Sequence, residues 1–265
     1  MVGIFLAGAL LITIGLAINR KTFVNYMLIM LFLALLSTLT VFEYLHLNET
    51  ELVYFTTDSI GILLLAAISM VSIPTFYHGY KYITSRNDTA QSRGLFFAAM
   101  VMLITACSMV YLSNHIAVTW IFVELTTLSA SVLIYHRRSL RALEGVWKYV
   151  FLCAISITFI YVGILFLSLS LKETGIEDMS FRSLVQYSSE LNPFWLKLAF
   201  LFIFSGFTAK LGLVPMYTAG IDAKDKAPAP AGALLASVLM NVGFIGIYRI
   251  YAVIAHTPLK YWANT

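Results

Sequence analysis

Charge is scarce in this sequence. Only 11% of its 265 residues are Asp, Glu, Lys or Arg, where soluble domains carry about 25%, and 60% are hydrophobic, so a soluble globular chain is excluded. There are two cysteines, Cys107 and Cys153, each inside an apolar run and without C-x-x-C spacing; neither a disulfide framework nor a cysteine metal site is expected. The five histidines, at 46, 78, 115, 136 and 256, make no i,i+4 pair and no H-E-x-x-H, so no metal site is expected from them either. No glycine-rich phosphate loop follows a strand, and no nucleophile elbow is present. The first apolar run has no basic stretch ahead of it and reads as a true membrane span, not a cleaved signal. The net charge of +4 lies in short loops between apolar runs and makes no nucleic-acid surface.

What the chain has is apolar length. Crossing the hydrocarbon core takes about 20 residues of helix, and helix is required because backbone groups in lipid must pair within the segment. Eight runs qualify, over residues 2–18, 23–42, 59–77, 94–112, 115–135, 146–171, 193–221 and 229–254. The expected fold is all-α, a polytopic membrane helix bundle of about eight transmembrane helices. The loops between them alternate in charge. The first, third, fifth and seventh hold ten Lys and Arg residues, the second, fourth and sixth only two. The positive-inside rule places the odd loops in the cytoplasm and the N-terminus outside.

Two side chains break the apolar pattern at depth. Glu124 is central to HIAVTWIFVELTTLSASVLIY, and Lys210 lies inside FWLKLAFLFIFSGFTAKLGLVPMY. An ionisable group there costs roughly 2.5–3.5 kcal/mol on insertion scales and marks an ion or proton path by default. The alternatives are a structural polar contact for Glu124 and a lysine reaching toward the surface from a kink. Thr119, Thr126, Thr127, Ser129 and Ser131 surround Glu124 and suit close helix packing or a wet cavity. Gly206, Gly212 and Pro215 bracket Lys210, so the seventh span is expected to be a broken helix. Irregular backbone at this depth is tolerated where it lines a cavity, as at transporter ion sites. An opposite charge nearby favours the charged form of each partner, and separation removes that support. A closing and opening Glu124–Lys210 pair is therefore a proton switch.

Four further residues have expected roles. Lys148 follows Glu144 by four residues, the favourable helical pairing, and is either a solvated pair or a proton-loading group. Asn241 is polar midway along the eighth span and is expected on the path. Asp58 opens the third span as a cap. Arg249, near the outer end of the eighth span, is expected to snorkel to the surface.

The segments FVELTTLSASVLI, EGVWKYVF and AKLGLVPMYTAGIDAKDKAPAPAGALLASVLMNVGFIGIYR resemble a known family. It comprises the antiporter-like proton-translocating membrane subunits of respiratory complex I, of multisubunit Na+/H+ antiporters and of formate-hydrogenlyase-type hydrogenases. The resemblance covers roughly residues 55–250 and implies that Glu124 and Lys210 form the central pair. Where the family commonly reads P-x-H-x-W-L-P-D-A-H, this chain has Pro215, then Tyr217, Ala219 and Ile221, then Asp222, Ala223 and Lys224. Asn241 stands where some members carry a second lysine, which is closer to the hydrogenase branch. Family members are commonly built from two inverted five-helix repeats. By that pattern residues 1–93 are an N-terminal three-helix segment, 94–254 the first repeat and 255–265 a tail, and the second repeat is missing.

The resemblance implies a proton- or cation-translocating subunit of a redox-driven complex, with other membrane subunits as partners, in a bacterial or archaeal plasma membrane. Such a subunit binds no redox cofactor itself and is not catalytic on its own. The alternative is a subunit of a sodium/proton antiporter without redox coupling. An intramembrane enzyme lacks its nucleophile or metal cluster here, and a purely structural piece is the remaining possibility.

Overall fold

The computed structural model describes residues 1–86, 88–176, 178–213, 217–257 and 259–263. The chain runs as α1 (Val2–Ile18), α2 (Thr22–Leu45), a small hairpin of β1 (Thr50–Glu51) and β2 (Phe55–Thr56), α3 (Ser59–Ser85), α4 (Ala90–Leu112), α5 (Ile116–Tyr135) and α6 (Leu140–Thr174). It continues through α7 (Phe181–Gln186), α8 (Pro193–Leu211), α9 (Thr218–Lys226), α10 (Ala229–Ser237), α11 (Leu239–Ala255) and α12 (Lys260–Ala263). Among the described residues seven helical segments are long and apolar enough to cross a membrane, counting α10 with α11; α1 is apolar but shorter, at 17 residues. The protein is an integral multi-pass membrane helix bundle, and each of the eight expected runs is helical, the last two in two pieces.

Several helices outrun their hydropathy. α3 continues from residue 77 to Ser85 and α2 from residue 42 to Leu45, because i→i−4 hydrogen bonding does not stop where apolar side chains do. One consequence corrects the loop assignment of Glu43. It lies inside α2, is buried, and accepts a hydrogen bond from the Thr57 hydroxyl.

α4 is the central post. It is apolar all round, with almost every residue from Phe96 to Leu112 buried, as expected for a helix surrounded by others. α1, α3, α5 and α11 pack on it. α6 packs most extensively on α8. That pair approaches closely at Gly163 and Gly206: a Cβ at Gly206 would lie 2.6 Å from the Ser156 carbonyl oxygen. The Ser156 hydroxyl also donates to the Gly206 carbonyl at 2.5 Å. Small residues let membrane helices meet backbone to backbone.

Two spans are interrupted. α8 ends in a Schellman motif: Gly212 sits at φ +81°, its N–H donates to the Ala209 carbonyl, and the Leu213 N–H reaches back to Thr208. The chain then turns into the separate helix α9, so the seventh apolar run is not one helix over 193–221. Gly212 makes this break; Pro215 lies outside the described residues. The eighth run breaks at Val238, where the sequence offers no glycine or proline.

Arg249 does not reach the surface. It is 5% exposed, and its guanidinium donates to the carbonyls of Val110 (2.9 Å), Tyr111 (2.6 Å) and Ser113 (2.5 Å), with Asp58 at 3.5 Å. A helix leaves its last carbonyls unpaired and negative, and here a cation from α11 fills the end of α4. Asp58 also caps α3, as expected, accepting from the Gly61 N–H at 2.6 Å.

Candidate functional site

Lys210 is the last-turn residue of α8 and is 6% exposed. The broken helix puts its ammonium beside the C-terminal carbonyl end of α8, a place that favours a cation. Its Nζ donates to the hydroxyl of Thr127 on α5. The Tyr149 ring on α6 lies 5.9 Å from the same nitrogen, within cation–π range. Three helices, α5, α6 and α8, thus converge on one amine.

Glu124 is half-buried on α5, three residues before Thr127 and so on a neighbouring position of the same face. Glu124 and Lys210 make no direct ion pair in this arrangement; the lysine is held by Thr127 instead. The Tyr149 ring faces Lys210, and its hydroxyl is buried without a hydrogen-bond partner among the described residues.

A cavity of about 30 Å3 opens beside Lys210, lined by Tyr149, Cys153, Lys224, Leu239 and Met240 among others. That volume accommodates about two waters. Lys224, from α9, shares it and points its Nζ at the Met240 sulfur, 3.1 Å away. The position that departs from the family pattern thus brings a second amine into the same space.

The other expected residues lie outside this cavity. Lys148, one residue before Tyr149, is about half exposed and pairs with Glu144 at 2.6 Å and with Asp222 of α9 at 3.4 Å. It ties α6 to α9. Asn241 is at the interruption of the eighth span, where its side-chain amide donates to the Ser237 carbonyl at 2.9 Å. The neighbouring Val238 carbonyl accepts from the Tyr111 hydroxyl at 2.8 Å and from the Asn241 N–H. Asn241 satisfies backbone freed by the break. Among the described residues there is no cluster of His, Cys, Asp or Glu able to hold a metal ion.

Sequence reasoning missed Tyr149 and the Asp222 partner of Lys148. A signal for Tyr149 was present: Tyr149, Cys153, Ser156, Ile160 and Gly163 recur at helical spacing and are all buried on one face of α6. The adjacent Lys148 is turned about 100° away, toward water.

Residues 113–264 match the transmembrane family of NADH:quinone oxidoreductase and Mrp antiporter proteins. The chain belongs to that family. A hydrogenase-4 component F homolog of Methylacidiphilum infernorum is 24% identical over 212 residues, covering 77% of this chain and 44% of the relative. The NADH-quinone oxidoreductase subunit N 2 of Aquifex aeolicus is 23% identical over 251 residues, covering 94% and 48%. The structure of an archaeal membrane-bound sulfane sulfur reductase, a respiratory membrane complex, superposes with a TM-score of 0.82 at 17% identity, covering 95% of this chain and 53% of the other. The chain spans about half the length of the relatives it matches. These antiporter-like relatives are membrane subunits of larger complexes.

Proposed function

We propose that this chain forms the first half-channel of a proton- or cation-translocating membrane subunit in a redox-driven complex of the hydrogenase or NADH:quinone oxidoreductase type. The observation that carries the reading is the buried Lys210 amine, bonded to Thr127 on the helix that holds Glu124. Residues 94–254 act as the first five-helix repeat. Other membrane subunits supply the redox chemistry.

In this scheme Glu124 sets the charge state of Lys210. When the carboxylate reaches the amine, directly or through water, it holds the ammonium charged; when the lysine rests on neutral Thr127, that support is gone and the proton can pass on. Lys148 and Asp222 load protons from the cytoplasm. The arginine-rich odd loops face that side, which leaves the N-terminus outside, in a bacterial or archaeal plasma membrane.

The test is ion transport by the intact assembly in sealed vesicles. Redox-driven function predicts acidification of the vesicle lumen on adding the electron donor, abolished when the donor is withheld. Exchange driven equally well by an imposed sodium gradient, with no response to donor, would instead assign the chain to an antiporter without redox coupling.

A further inference from the structure

Where α2 begins, α3 ends and α4 begins, three helix ends meet at one membrane face. A narrow cleft there is lined by Arg20, Arg93 and Asn25. Neither arginine has an ion-pair partner among the described residues, and the nearby acid Asp88 is occupied by His136 at 3.1 Å. Two cations side by side without a carboxylate repel each other and invite an anion.

Immediately below, between α2 and α3, a wider groove of about 740 Å3 opens sideways, lined by apolar and aromatic side chains that include Phe23, Met30, Ile73 and Tyr77. Tyr26 and Tyr80 line both spaces, their rings edge to face at 6.3 Å, so cleft and groove adjoin. The volume is in the ~300–1,000 Å3 range of ligand sites. Tyrosines cluster at the arginine end, where interfacial aromatics belong. A paired cationic top on an apolar, laterally open trough is the inverse of one kind of molecule: a phosphate headgroup with an acyl chain beneath it.

We infer that Arg20 and Arg93, with the α2–α3 groove, form a binding site for an anionic phospholipid of the leaflet on the arginine side. The phosphate accepts hydrogen bonds from both guanidiniums, and one acyl chain lies along the exposed faces of Phe23, Met30 and Ile73. The site shares no lining residue with the Lys210 cavity and stands independently of the transport reading.

Native mass spectrometry of the complex isolated from its membrane, delipidated and reloaded with phosphatidylglycerol or with phosphatidylcholine of the same chains, tests this. The expected result is selective retention of phosphatidylglycerol, falling about fivefold for each arginine removed and furthest in the Arg20→Gln/Arg93→Gln variant. Arg86→Gln is the control: Arg86 lies at the same membrane face but its guanidinium is bonded to the Tyr82 hydroxyl at 2.7 Å, and its loss should leave lipid retention unchanged. Met30→Trp, which fills the groove, should weaken retention with both arginines in place. Equal retention of the two lipids, unchanged selectivity in the double arginine variant, or a partner-subunit helix seated in the groove of the assembled complex would each overturn the assignment.

Discussion

Replacing Lys210 with Met stops ion translocation by the assembled complex while leaving the subunit inserted and assembled. The substitution exchanges a buried amine for an apolar side chain of similar length, which a packed interior accepts at little cost or with a gain. What disappears is the proposed proton carrier. Lys210→Arg separates carrying a proton from merely carrying charge. An arginine can keep the bond to Thr127 and the contact with the Tyr149 ring, yet it does not release its proton in proteins. Both variants are expected to pump at background level, measured as donor-driven acidification in sealed vesicles. Normal pumping by Lys210→Arg would show that the residue is only a fixed positive charge.

Arg249→Met is expected to damage the fold and not the transport chemistry. It leaves the carbonyls of Val110, Tyr111 and Ser113 without their donor and Asp58 without its cation. Removing one partner of a buried charged network costs about 3–5 kcal/mol. The apparent midpoint of thermal unfolding should fall by about 6–20 °C, given roughly 2–4 °C per kcal/mol at this size. Arg249→Lys should recover only part of it, because a single ammonium cannot span three carbonyls and a carboxylate with the geometry of the guanidinium fork. A variant with an unchanged midpoint would mean that the end of α4 finds other donors.

The two predictions mark what the sequence made legible. Depth is written in hydropathy, so eight apolar runs and two ionisable residues within them could be read directly. The break at Gly212 was legible because glycine is the residue a left-handed helix end requires. The break at Val238 was not: its freed carbonyls are satisfied by Tyr111 from another helix and by Asn241, a tertiary arrangement without a local signature. Asn241 was therefore legible as polar at depth but not as a backbone partner. Arg249 was misread for a related reason. Nearness to a span end suggested water, while its helical neighbours Val242, Gly246 and Val253 are all buried and put it on the inward face. At Lys210, sequence marked a base at depth but not the groups that touch it. Thr127 and Tyr149 come together only when α5, α6 and α8 pack, and Gly206 and Gly163 allow that approach.

The proposed switch depends on Glu124 governing the charge of a lysine it does not touch in this arrangement. A nearby carboxylate shifts an ammonium's protonation equilibrium by roughly ten- to a thousandfold. The direct measurement is donor-driven proton translocation by the intact assembly carrying Glu124→Gln, with assembly verified in the same preparation. The account predicts less than about a tenth of normal pumping, within the reach of that shift. Pumping at the normal rate, with Lys210 still in place, would contradict it.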